Sequence, residues 1–115
     1  MARDADKLLF DMLQAGRNIG SFVTGRTEAG YIDDPMLSSA VERQLFIFAE
    51  ALTQLRKASP EVAEQIPDSH LVIGFRNLLA HAYFAVDSRR VWDIVVNHLP
   101  ATLSIVETLL SEKGI

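Results

Sequence analysis

From Arg76 to Phe84 the sequence reads RNLLAHAYF, so an arginine, an amide, an imidazole and a phenol interrupt a run of apolar helix formers. Each of these groups can do chemistry. A guanidinium neutralises charge on phosphoryl oxygens, and an imidazole takes or gives a proton near neutral pH. Spacing limits how they could act together. At about 100° per residue, Asn77 and His81 share a helix face and Arg76 nearly aligns with Tyr83, but Arg76 and His81 point about 140° apart. One straight helix cannot aim all of them at one point. Either the helix distorts near its C-terminal end, or a second copy of the chain supplies the missing partner across a two-fold axis, which is the favoured reading.

The elements that must position this segment are read from apolar periodicity. Leu8 or Leu9, Met12, Ala15 or Gly16, Ile19 and Val23 recur at three- and four-residue steps, which predicts an amphipathic helix from Asp4 to about Val23. Gly25, Gly30 and the polar residues between them end it. Asp34 is placed to accept hydrogen bonds from the first free amides of a second helix, and Pro35 suits its first position. The stripe Leu37, Val41, Leu45, Phe48, Leu52 and Leu55 carries that helix. Ser59 and Pro60 repeat the device for a short helix to about Gln65, closed by Pro67. Asp68 or Ser69 starts the helix that holds the polar segment, with Gly74 weakening it. Asp87 or Ser88 caps the last helix, whose face holds Trp92, Val95 or Val96, Leu99, Leu103, Val106 and Leu110. Pro100 should kink or break it by clashing with the Val96 carbonyl. With short connections and no period-two run, the fold expected is all-α: an antiparallel four-helix bundle with a short extra helix, in one domain over residues 1–115.

Composition narrows the function classes. A chain of 115 residues, 49% hydrophobic and 23% charged, has the balance of one folded domain rather than of a disordered segment. Without cysteine it has no disulfide, thiolate metal site or cysteine nucleophile, and a cytoplasmic location fits. MARDADKLLFD has no long apolar run, and no later stretch approaches a membrane span, so no membrane is expected. A net charge of −4 argues against broad wrapping of nucleic acid and leaves only focal contact.

The spacing RxxxxHxY, as Arg76, His81 and Tyr83, resembles the HEPN domains, and within them the HepT-like toxins paired with MNT nucleotidyltransferase antitoxins. The resemblance extends through RDADKLLFDML, FAEAL with Glu50, YFAVDSRRVWDIV and the proline after HL, so it covers nearly the whole chain. Ala82 departs from it, standing where relatives carry an acidic or polar residue, and this bears on how His81 is tuned. The resemblance implies a homodimeric all-α endoribonuclease toxin that cuts RNA without a metal or other cofactor. His81 would be the general acid or base and Arg76 the phosphate clamp, with Asn77 orienting His81 or touching RNA. Glu50 is implied as support for Arg76. Tyr83 would accept AMP from the nucleotidyltransferase partner, so that added phosphate occupies the arginine site and repels RNA. The alternative is a non-catalytic helical module that docks on a nucleotidyltransferase.

Blander readings stand beside these. Arg76 could form a structural ion pair with Asp68 or Glu50, and Phe84 could be a core aromatic. His70 and His98 lack motif context and, with His81, lack the spacing of a metal site. Trp92 and the Phe46 to Phe48 region suit a core or a dimer interface better than a base-stacking platform. Arg89 and Arg90 are read as exposed charge, and Arg43, Arg56 and Lys57 look too dispersed to map a groove.

Overall fold

The structure, a computed structural model, describes residues 2–67, 69–81 and 86–114, with the side chains of residues 2, 3 and 81 outside the description. Among the described residues the regular elements are all helical. The first helix, α1, spans Ala2–Val23 and buries Ala5, Leu9, Met12, Ala15 and Ile19 along one face. It stops at Gly25, whose φ of 75° is a left-handed conformation that suits glycine. A five-residue helix, α2 (Glu28–Ile32), follows where a polar loop was expected. The Thr27 hydroxyl accepts from the Gly30 amide at 3.0 Å, and the turn it starts drives Tyr31 into the core beneath Trp92.

Asp34 and Pro35 act as their residue types dictate. The Asp34 carboxylate accepts from the Leu37 amide at 3.1 Å and starts α3, Pro35–Ala58. Every member of the predicted stripe, from Leu37 to Leu55, is buried. Beyond it come α4 (Pro60–Ala63) and α5 (Ser69–His81). At Ser59 the hydroxyl does not cap α4 and instead donates to the Glu61 carboxylate at 2.9 Å. Asp87, accepting from the Arg89 amide at 3.0 Å, caps α6 (Ser88–Asp93).

The regular α-helix breaks just before Pro100, as expected, but the chain stays helical through the break. Residues Ile94–His98 widen into one π-helical turn, the Leu99 amide donating to the Ile94 carbonyl, and the chain passes into α7, Leu99–Glu112. The extra residue in that turn absorbs the misfit that a proline ring imposes on a regular helix. The continuous helix Ser88–Glu112 runs 25 residues and is long and apolar enough to cross a membrane by length and composition, contrary to the expectation from sequence. Of its apolar residues, Val91, Ile94, Val95, Leu99, Val106, Leu109 and Leu110 are buried within the protein, Leu103 and Ile105 pack half-buried against the core, and Val96 is exposed.

Three helix contacts organise the molecule: α3 packs on α1 and on α5, and α1 packs on α7. The α1–α3 pair runs antiparallel, the Asn18 amide donating to Gln44 at 3.2 Å while Leu8 faces Gln54 across a cleft farther along. Against α7, Gly16 leaves no room for a side chain, because a Cβ there would collide with Leu103. Lys113 and Asp6 pair at 2.6 Å at the far end of the same seam.

Candidate active site

The polar segment lies on α5, which runs antiparallel to α3 so that Phe46 stands near Ala80, Glu50 opposite Arg76, and Arg56 near His70. The second of these rungs is an ion pair. Nε of Arg76 donates to Oε2 of Glu50 at 2.8 Å, Nη2 lies 2.8 Å from the same oxygen, and both side chains are about one-third exposed. The Arg76 Nη1 donates to Oδ1 of Asn77 at 3.0 Å, and the other Glu50 oxygen accepts from Gln54 at 3.2 Å. Hydrogen bonding from Arg76, then from Gln54, holds the Glu50 carboxyl below the usual carboxylate range. The result is a guanidinium fixed along one edge, with N–H groups of its Nη atoms left over for an anion.

Of the two ion-pair partners considered for Arg76, Glu50 is the one in contact, while Asp68 lies outside the described residues. The Asn77 carbonyl oxygen serves Arg76, and the expected role toward His81 falls on a side chain outside the described residues. His81 is the last residue of α5, and its side chain lies outside the description, as do Ala82, Tyr83 and Phe84. The α5 backbone is helical without interruption from Arg76 to His81, so the two residues leave it about 140° apart. His70 is exposed on the first turn of α5, and His98 sits in the π-helical turn, 3.5 Å from Asp93. Arg90 pairs with Asp93 at 3.7 Å, and Arg89 is exposed. Phe48 is core, and Trp92 is half-buried against Tyr31.

A model of the family described as Ribonuclease HepT-like matches residues 12–109. The chain belongs to the HepT-like ribonuclease family. A protein named "Putative RNase" from Methanocaldococcus jannaschii is 30% identical over 105 residues, 91% of this chain and 95% of its own length. A second protein so named from the same organism is 26% identical over 96% of this chain and 90% of its own. Another, from Caldanaerobacter subterraneus subsp. tengcongensis, is 30% identical over 79% of this chain and 80% of its own. No solved structure matches the chain.

Two features of this HepT-like site had little or no signal in the segment itself. Gln54 stands four residues after Glu50 on α3, a spacing at which side chains meet, and could have been found by asking what holds Glu50. The other is a cleft of about 260 Å³ lined by Glu42, Arg43, Phe46, Leu79 and Ala80. The Arg43 guanidinium lies over the Phe46 ring, 5.8 Å from its centroid. Burial raises the Glu42 carboxyl above its ordinary pKa, and burial followed by the Glu42 charge raises the Tyr31 phenol. Dispersed in sequence, Arg43 and Arg56 both reach the α3–α5 seam, whereas Lys57 turns to the α1 side with Lys7.

Proposed function

We infer that this HepT-like protein is the toxin of a HEPN/MNT two-component module: a homodimeric, metal-independent RNA endonuclease of the cytoplasm built on a four-helix bundle. The observation that carries this reading is the Glu50–Arg76–Asn77 network between α3 and an unbroken α5, which orients a cation while leaving it hydrogen-bond donors. A fixed guanidinium neutralises charge that grows on the phosphoryl oxygens as the bond breaks. His81 is the general base toward the RNA 2′-hydroxyl or the general acid toward the leaving oxygen. Because positions 76 and 81 lie about 140° apart around one helix, the working pair in this reading is Arg76 of one copy with His81 of the other.

Tyr83 is the acceptor of AMP from an MNT nucleotidyltransferase antitoxin. The added phosphate would compete with RNA for Arg76 and repel its backbone, which silences the enzyme. Incubation of purified protein with RNA in excess chelator tests the chemistry. Cleavage that persists with chelator and is lost in His81→Ala agrees with the proposal. Dependence on a divalent ion, or equal cleavage by the variant, contradicts it, and no cleavage by the parent favours a non-catalytic docking module.

A further inference from the structure

The cleft of Glu42, Arg43, Phe46, Leu79 and Ala80 sits one helical turn from the Glu50–Arg76 pair on both helices that form it. Phe46 precedes Glu50 by four residues on α3, and Ala80 follows Arg76 by four on α5, so cleft and ion pair are successive rungs of one seam. A polymer held by its phosphate at Arg76 therefore has its neighbouring group within reach of the cleft. The volume, about 260 Å³, is just below the roughly 300 Å³ at which pockets begin to enclose whole small molecules, and suits a single ring system.

The lining suits one kind of ring. Arg43 is exposed and laid on half-buried Phe46, which presents a flat cationic surface of the sort on which unstacked RNA bases settle. At the edge stands Glu42, a half-buried carboxylate that accepts no hydrogen bond among the described residues. Two adjacent carboxylate oxygens match two adjacent N–H donors. Guanine offers such a pair at N1 and N2, whereas adenine and cytosine set a ring acceptor beside their amino group and uracil flanks its single N–H with two carbonyls. The geometry points to a guanine-binding subsite in this cleft, with Arg43 on Phe46 as the stacking surface and Glu42 reading the Watson–Crick edge of a base next to the cleaved bond.

This subsite rests on the ribonuclease reading for its role but has its own test. Short RNAs identical except for guanine, inosine, adenine, cytosine or uracil beside the cut are compared, and guanosine 3′-monophosphate binding is measured directly by calorimetry. We expect guanine to be favoured over inosine, which lacks the N2 donors, by about 10-fold, and Glu42→Gln to erase that preference. Arg43→Gln, at an exposed position, should raise KM about 10-fold with kcat nearly unchanged and should weaken nucleotide binding to match. Cleavage indifferent to the base, or a guanine preference intact in Glu42→Gln, overturns the subsite and leaves the nuclease reading standing. A parent protein that cuts nothing yet binds guanosine 3′-monophosphate through Glu42 does the reverse. Sedimentation of Phe46→Leu gives a further check: a dimer that falls to monomers makes this face an interface between copies and overturns the assignment.

Discussion

Replacing Glu50 with glutamine removes the charge that holds Arg76 while keeping the shape of the side chain. One N–H donates to a carboxylate oxygen at 2.8 Å with the charged Nη2 as close to the same atom, and a hydrogen bond to a charged group contributes about 1.5–3 kcal/mol when shielded from water. With 31% and 32% of the two side chains exposed, solvent screening reduces the expected loss to about 1 kcal/mol. An unfolding entropy of about 2.1 cal/mol/K per residue over 115 residues turns that loss into a Tm lower by about 4 °C. The pH dependence follows from the direction of the Glu50 shift. Because its folded-state pKa is depressed, the stabilisation is fully present above the unfolded carboxylate value and fades as pH falls through the folded one. The Tm gap between parent and Glu50→Gln should therefore be full at pH 7 and close below about pH 4. Activity separates positioning from mere stability: a guanidinium free to swing should cost about 10- to 100-fold in kcat with KM little changed, and Glu50→Asp should recover part of it. A variant that melts with the parent at pH 7 and cuts RNA at the parent rate refutes the role given to this pair.

Packing and capping give two further tests. Gly16→Ala should destabilise by about 1–3 kcal/mol in chemical denaturation, because the new Cβ meets Leu103 where α1 crosses α7. Asp34→Ala should lose about 1 kcal/mol with the cap of α3, read in the same assay as a lower denaturation midpoint with unchanged slope. Co-expression with a cognate nucleotidyltransferase should add AMP mass units at Tyr83 and abolish RNA cleavage, and Tyr83→Phe should escape both. Neutralisation without added mass would point to a steric block instead.

Much of the fold was legible because the apolar stripes are long and their boundaries carry specific chemistry. Asp34 with Pro35 located the start of α3, and Asp87 the start of α6, through side-chain oxygens that only a cap would use. The helix α2 was not legible, since five residues around Gly30 are too few for a period to emerge and Tyr31 is buried only by what folds over it. Pro100 was judged by local sterics alone, but the π-helical turn before it resolves the clash without ending the helix, an outcome set by the core on either side. At the site, Arg76, Asn77 and His81 were evident as residue types. Glu50 was named for Arg76 by resemblance and, beside Asp68, as one of two ion-pair partners, and spacing alone could not choose because Glu50 is 26 residues away and meets Arg76 only through the antiparallel pairing of α3 with α5. That pairing also gathers Glu42, Arg43 and Phe46 beside Ala80, which no local spacing announces.

Complementation between two inactive chains tests the shared site most directly. Arg76→Ala and His81→Ala proteins are each purified, confirmed silent toward RNA, then mixed, unfolded and refolded together. If Arg76 of one copy works with His81 of the other, each mixed dimer regains one intact site, and random pairing should return roughly one quarter of parent activity. A mixture as silent as its components, or a parent protein that sediments as a monomer while cutting RNA, contradicts the account.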